Sequence, residues 1–206
     1  LARRGVAVFS NAGSHRMDPH VPIVVPEVNP GQLSAVEDQE TYGGGGYIVT
    51  NANCASTGII MPLKAMLDRY GLRQVFVSTY QAVSGAGYPG VASLDALGNV
   101  IPYIENEEEK MESEIGKMLG TYSGGRFEHA GVEVVANCAR VPVVDGHTES
   151  LVVGTEASPS VGELSQALSS FRGEPQELGL PSAPEAPIVV RAEADRPQAV
   201  YDVMTD

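Results

Sequence analysis

Tyr47-Ile48-Val49-Thr50-Asn51-Ala52-Asn53-Cys54-Ala55-Ser56-Thr57-Gly58 runs from an apolar, strand-like tetrad into a helical pattern, and its cysteine stands at the change-over. A thiol at a helix N-terminus faces unpaired backbone N–H groups and the positive end of the helix dipole. Both favour thiolate, the form that attacks a carbonyl carbon. The competing reading is a buried cysteine packing as a small hydrophobe, the commoner fate of a lone Cys.

Outward from that junction, the pattern alternates. Ala55 to Tyr70 carries Ile59, Ile60, Leu63, Met66 and Leu67 at helical spacing and stops at Gly71. Pro62 inside it should kink the helix or restart it one turn later. Glu107 to Leu119 reads as a second helix, charged on one side and apolar along Met111, Ile115, Met118 and Leu119, with Gly120 as its stop. Ser160-Val161-Gly162-Glu163 is a capping box opening a third helix to Phe171. Strands are expected at Val6–Phe9, Val21–Val25, Tyr47–Thr50, Gln74–Thr79, Val132–Asn137, Ser150–Val153 and Ile188–Arg191. Gly43–Gly46 reads as a flexible connector; no Lys-Ser/Thr follows it as a phosphate loop needs. Gly173–Pro187 reads as loop. No G-x-G-x-x-G follows a strand, and Gly85-Ala86-Gly87-Tyr88-Pro89-Gly90 is a poor pyrophosphate loop because of Pro89.

Composition limits the function. The 206 residues include 13 basic and 26 acidic side chains, a formal charge of −13. That excludes a nucleic-acid or anionic-membrane surface, since either needs a basic face. An anionic substrate must then be held by a few well-placed cations. No run approaches the ~18–20 apolar residues of a membrane span. Two cysteines, Cys54 and Cys138, give no disulfide framework, so a reducing cytoplasm is the default compartment. The opening without Met, almost directly into Gly5-Val6-Ala7-Val8-Phe9, reads as the middle of a domain and suggests a fragment.

Several residues could serve the thiol. His147, in Arg140-Val141-Pro142-Val143-Val144-Asp145-Gly146-His147-Thr148-Glu149, lies between two strand-like runs, where it can be held rigidly beside a cleft. A Cys–His pair supplies a thiolate and a proton shuttle near neutral pH; the alternative is a hydrogen-bonded turn histidine. His15, His20 and His129 lie in polar, surface-like segments, and no paired spacing suggests a metal site. Arg140 offers a planar fork for a carboxylate or, alternatively, a surface ion pair. The turn at Asp145-Gly146 must fold Arg140 and His147 together. Glu107 and Lys110 share a helix face at i, i+3, which by default is solvated and salt-bridged. Gln81 leaves a strand just before Ser84 and Gly85 and could give a neutral donor to a developing oxyanion.

Taken together, these blocks closely resemble aspartate-semialdehyde dehydrogenase, more its archaeal and fungal branch than the common bacterial one. The resemblance rests on Phe9-Ser10-Asn11-Ala12, Ser14-His15-Arg16, Val25-Pro26-Glu27-Val28-Asn29-Pro30, Thr50-Asn51-Ala52-Asn53-Cys54 and Gln81-Ala82-Val83-Ser84-Gly85-Ala86-Gly87-Tyr88-Pro89-Gly90-Val91. It continues through Asn99-Val100-Ile101-Pro102-Tyr103-Ile104, Glu107-Glu108-Glu109-Lys110-Met111 and the Arg140–Glu149 segment, and weakens after Val153.

The resemblance implies reversible NADP-dependent conversion of aspartyl 4-phosphate to aspartate 4-semialdehyde and phosphate through a cysteine thioester. Cys54 would be the nucleophile, His147 the general acid/base, and Gln81 the residue that orients the intermediate. Arg140 would hold the substrate α-carboxylate and Glu107 its amino group, while Lys110, Arg16 and Asn53 would bind phosphate. Ser84 and Gly85 would line the nicotinamide side. The implied fold is α/β: a remnant of a Rossmann-type NADP-binding domain over 1–52, then a mixed-sheet catalytic and dimerisation domain with flanking helices over 53–193. Residues 194–206 form a tail returning toward the nucleotide domain. A homodimer or homotetramer is implied, and this chain by itself is expected to hold NADP too poorly to turn over. Malonyl-CoA reductase on the same scaffold is the enzymatic rival; a non-catalytic homologue or bare dimerisation module is the other. Cys138 is expected to be a buried strand residue.

Overall fold

The computed structural model describes residues 1–203, so the last three residues of the expected 194–206 tail lie outside the described residues. Strands β1 (Ala7–Ser10) and β2 (Tyr47–Thr50) pair in parallel, Ala7 opposite Tyr47 and Ser10 opposite Thr50. The crossover between them is a run of tight turns including a 3-10 segment at Pro30–Asp38. The strand expected over Val21–Val25 is reduced to one bridge between Ile23 and Thr50. Its apolar alternation reported burial correctly, since Val21, Ile23 and Val25 are all buried. A side chain, however, takes over part of the pairing a neighbouring strand would give. Asn29 Oδ1 accepts the Val25 N–H, and Asn29 Nδ2 donates to the Ile23 carbonyl. Gly43–Gly46 is no loose connector either: a Cβ at Gly46 would lie 1.9 Å from the Ala2 carbonyl oxygen.

Helix α1 (Cys54–Tyr70) starts at the expected junction and ends at Gly71, whose φ of 66° few other residues adopt. It runs through Pro62 without restarting. The proline ring leaves the Gly58 carbonyl, four residues back, without its helical N–H partner. Strand β3 (Leu72–Gln81) follows, then a single turn α2 (Ser93–Ala96), helix α3 (Glu107–Leu119) and a hairpin of β4 (Thr121–Ser123) and β5 (Arg126–Glu128). Strands β6 (Glu133–Arg140) and β7 (Thr148–Thr155) flank β3, β6 parallel and β7 antiparallel. Helix α4 (Val161–Ser169) opens on the expected capping box. The short α5 (Glu174–Glu177) and α6 (Ala199–Asp202) follow it. No strand forms at Ile188–Arg191, where Val189 and Val190 stay exposed.

This is an α/β fold with one mixed sheet, covered on one face by α1 and α3. Ile59, Ile60 and Leu63 of α1 meet Met111, Ile115 and Met118 of α3 and Val75, Val77 and Cys138 of the strands in a single core. Part of the charged side of α3 is not solvated as expected: Glu107, Glu114 and Lys117 are 6%, 1% and 2% exposed, while Glu109 and Glu112 stay exposed. On the other sheet face Phe76, between Val135 and Val152 in register, is uncovered together with Tyr80. Among the described residues no helix is long and apolar enough to cross a membrane.

Candidate active site

Cys54 is the first residue of α1, directly after β2, and the Asn53 side chain caps the helix by accepting the N–H groups of Ala55 and Ser56 at 2.9 and 3.1 Å. Its Sγ lies 3.3 Å from Nε2 of His147, which precedes β7. The two side chains, 93 positions apart, therefore meet as expected. The backbone of one residue, Ala82, serves both the histidine and Arg140. The Ala82 N–H donates to His147 Nδ1 at 3.1 Å, and the Ala82 carbonyl accepts from Arg140 Nη1 at 2.7 Å. Arg140 and His147 thus converge on the turn after β3. Gly85 lies between them, because a Cβ there would sit 3.0 Å from Arg140 Nη1 and 3.1 Å from the His147 ring.

The remaining expected residues gather around a polar cleft of about 610 Å³, lined among others by Arg16, Asn53, Cys54, Gln81, Glu107 and Lys110. Glu107 is its centre. Its Oε1 accepts from Asn53 Nδ2 at 2.7 Å and Gln81 Nε2 at 3.2 Å, and Lys110 Nζ lies 3.6 Å from Oε2. The free amide donor expected of Gln81 is therefore not free: Nε2 also donates to Thr79 Oγ1, and the residue is 1% exposed. Asn53 is likewise taken up as helix cap and Glu107 partner. Arg16 is buried, its guanidinium bonded to Glu114 Oε1 at 2.9 Å and to the carbonyls of Asn11 and Ala52. Its Nε has no hydrogen-bond partner among the described residues. Gly85 also lines this cleft, while Ser84 is exposed on the adjoining turn.

The electrostatics overturn one expectation. Burial, and secondarily the Glu107 carboxylate, push the Cys54 thiol up; the helix-end N–H groups and Arg140 oppose this but do not win. The residue keeps solvent access through the cleft, yet its sulfur is desolvated enough to favour the protonated form. Burial and then Arg140 lower His147, so its imidazole is neutral at rest. A second cleft of about 790 Å³ opens from Cys54 and His147 past Gly58, Ile59, Pro62, Leu151 and Glu149 to the described part of the tail. Burial lifts Glu149 to about 8, and its Oε1 has no hydrogen-bond partner among the described residues. Cys138 is buried in β6, its thiol 3.7 Å from Met111 Sδ.

Sequence reading missed Glu114 and Lys117. Glu114 Oε2 accepts the Asn53 N–H at 2.8 Å while Oε1 holds Arg16. Lys117 Nζ donates to the carbonyls of Arg16 and Val21 at 2.6 and 2.8 Å, over the Phe127 ring. The signal was present: 107, 114 and 117 fall on one helical stripe next to the apolar one.

Comparison with known proteins agrees with this geometry. Residues 63–206 match the family described as semialdehyde dehydrogenase, dimerisation domain, and residues 1–36 the semialdehyde dehydrogenase NAD binding domain. An aspartate-semialdehyde dehydrogenase of Methanothermobacter thermautotrophicus is 48% identical over 95% of this chain and 56% of its own length. A malonyl CoA reductase (NADP) of Metallosphaera sedula is 35% identical over 98% of this chain and 57% of its own length. The crystal structure of aspartate semialdehyde dehydrogenase with NADP from Candida albicans superposes with a TM-score of 0.88 at 37% identity, over 98% of this chain and 59% of that one. The chain thus spans between half and two thirds of the length of these relatives. It belongs to the semialdehyde dehydrogenase family, among the homologues of aspartate-semialdehyde dehydrogenase.

Proposed function

We propose that the protein takes part in the reversible NADP-dependent conversion of aspartyl 4-phosphate to aspartate 4-semialdehyde and phosphate. The observation that carries this is the Cys54–His147 contact of 3.3 Å at the mouth of a cleft that also holds Arg140, Lys110 and Glu107. The substrate bears a phosphate, a carboxylate and an ammonium group, and the cleft offers a partner to each. In this reading the Arg140 fork takes the carboxylate and Glu107 the ammonium. Lys110, which is half-exposed, takes the phosphate together with the buried Arg16 and with Asn53. Gln81 keeps Glu107 in place and borders the reacting carbon.

Sulfur suits the chemistry because it is both a good nucleophile and a good leaving group. The Cys54 thiolate displaces phosphate from the acyl carbon to give a thioester. His147 stands beside it, hydrogen-bonded to the sulfur and within reach of the oxyanion that forms next. NADPH, when bound, supplies the hydride that reduces the thioester carbon. The larger cleft beyond Cys54 would take a flat ring, with Ile59, Pro62 and Leu151 as apolar wall. Gly85 and Ser84 would border that ring.

Residues 1–52 would close a nucleotide-binding domain, 53–193 form the catalytic and dimerisation domain, and 194–206 return toward the first. The uncovered Phe76 face of the sheet supports a homodimer, alone or as half of a homotetramer. The test, made in a full-length version of the protein, is phosphate-dependent oxidation of aspartate semialdehyde with NADP, set against NADPH-dependent reduction of malonyl-CoA. Cys54→Ser should abolish the first reaction. Preferential malonyl-CoA reduction would transfer the assignment to the rival, and inactivity on both would leave a non-catalytic homologue. A carboxylate that faces an amino group, Glu107, and the higher identity to the dehydrogenase favour the first outcome.

A further inference from the structure

We infer that Glu114 is a positioning residue for the nucleophile: its carboxylate locks the Ala52–Asn53 peptide to Arg16, so that one buried group places both Cys54 and the guanidinium beside it. This rests on the reading of Cys54 as nucleophile and of Arg16 as a phosphate-binding group.

The lock is a closed ring of hydrogen bonds. The peptide unit between Ala52 and Asn53 offers one carbonyl and one N–H. Arg16 Nη2 donates to the Ala52 carbonyl at 3.2 Å, and Glu114 Oε2 accepts the Asn53 N–H at 2.8 Å. Arg16 Nη1 donates to Glu114 Oε1 at 2.9 Å and closes the ring. A carboxylate suits both places, since both its oxygens accept and neither donates. Arg16, Asn53 and Glu114 are all buried, so water neither screens the ring nor substitutes for it.

Two acids of α3 converge on one residue. Glu107 and Glu114, two turns apart, share a helix face. Glu107 takes the Asn53 side-chain amide at 2.7 Å, and Glu114 takes the Asn53 backbone. Asn53 Oδ1 in turn caps α1. The cap fixes the first N–H groups of the helix, and the ring fixes the peptide that leads into them. Cys54 is the next residue, so any drift of the Asn53 backbone passes directly to the sulfur.

The same carboxylate decides what Arg16 has left for a ligand. The guanidinium makes three hydrogen bonds, to Glu114, Asn11 and Ala52, all from its two terminal nitrogens. Its Nε–H has no such partner among the described residues, and Arg16 lines the polar cleft together with Cys54. Stability alone does not call for an ion pair here. A well-packed apolar pair of similar volume would hold the segments about as well. It would leave the peptide N–H and carbonyl without partners.

The test is Glu114→Gln in the full-length protein, assayed by phosphate-dependent oxidation of aspartate semialdehyde at a temperature where circular dichroism shows it folded. The amide keeps the shape but supplies one acceptor where two are needed. kcat should fall by ~10²-fold, the effect of misplacing a reacting atom by about 1 Å, and KM for phosphate should rise by ~10-fold. KM for NADP should stay within ~2-fold. Gln32→Leu is the control for a purely structural role. Gln32 is buried and bonded to the carbonyls of Lys117 and Gly120, and among the described residues it has no bond to positions 52–54. It should lower Tm and leave kcat and the phosphate KM within ~2-fold. Unchanged kcat and phosphate KM in Glu114→Gln would overturn the inference, as would equal losses in the two variants.

Glu114→Asp serves where Glu114→Gln is too unstable to assay. It keeps the buried charge, but its carboxylate is one methylene short of spanning both partners. A ~10-fold loss in kcat is expected of it, and wild-type kinetics would overturn the inference. Inactivity of the wild-type protein on aspartate semialdehyde would overturn the functional reading instead. Iodoacetamide alkylation of Cys54 then decides the positioning role without substrate. In Glu114→Gln the sulfur leaves its desolvated seat, so the half-maximal pH should fall by ~0.5 or more, and in Gln32→Leu it should stay. An unmoved profile in Glu114→Gln would overturn the inference.

Discussion

At Cys54 two opposing influences meet, and their order is informative. The helix end and Arg140 lower the thiol's pKa, while burial and Glu107 raise it, and the raising influences prevail. Alkylation by iodoacetamide should therefore reach half its maximal rate above the ordinary thiol value of about 8.5, followed as pH-dependent loss of free thiol at this position. A midpoint below that value would mean the helix end dominates. The junction of β2 and α1 was legible from its letters, as was the meeting of Cys54 with His147 through the family resemblance. The sign of the thiol shift was not, because it depends on Glu107 arriving from another element and on how much water the cleft excludes.

Glu149 shows a related effect in stability. Burial lifts its carboxyl to about 8 from an ordinary 4.5. Between those values the folded chain binds a proton that the unfolded chain releases, so this contribution is complete below pH 4.5 and disappears as pH rises through 8. Wild-type Tm should fall over that interval by the equivalent of a few kcal/mol, and Glu149→Gln should flatten the profile and melt higher at pH 8.5. A parallel slope in the variant would place the titrating group elsewhere.

Helix α3 is the element on which the site depends most. Its apolar stripe supplies core, and the adjacent charged stripe supplies three buried groups, each with partners on other segments: Glu107, Glu114 and Lys117. Glu114 alone joins the Arg16 guanidinium to the backbone N–H just before the nucleophile. Removing it leaves a buried guanidinium and a buried N–H without their acceptor. Glu114→Ala should cost about 3–5 kcal/mol in urea denaturation, with the slope on denaturant unchanged. A loss under ~1 kcal/mol would make the pair an ordinary surface one.

The limits of α3 were readable from its periodicity, residue for residue. Its electrostatics were not, because Glu107-Glu108-Glu109-Lys110 has the letters of a solvated face and only the fold decides which acid turns inward. Pro62 is the converse case, a local rule overridden, since α1 packs into the core on both sides of it.

For the whole molecule, the bare sheet face is the feature to explain. Phe76, Tyr80, Val135 and Val152 are 45%, 45%, 42% and 68% exposed, an apolar patch on a protein of strong negative charge. A second copy presenting the same strands would cover it, in keeping with the match to a dimerisation domain. Phe76→Lys should weaken self-association by ~10²-fold in sedimentation equilibrium, the loss typical of a central aromatic anchor. An unchanged mass would place the contact elsewhere.

The sheet's composition could be read from the β-branched runs, but its order could not: β7 enters beside β3 and antiparallel to it, a choice set by chain connectivity and not by any residue in β7.

The grip of α3 on the segment before it has a consequence for motion. Arg16, Asp18, Val21 and Gln32 belong to the stretch matched to the nucleotide-binding domain, while Glu114, Lys117 and the carbonyl of Gly120 belong to the stretch matched to the other. Most bonds between the two groups are buried, and Gln32 Nε2 by itself reaches the carbonyls of Lys117 and Gly120 at 2.8 and 3.0 Å. In deuterium exchange, amides of residues 16–32 and 107–120 should open together, at one free energy, as a single cooperative unit. Breathing of the cleft is then left to its far rim, where Arg196, Arg191 and the Gln198 backbone clasp the Asp202 carboxylate of the tail.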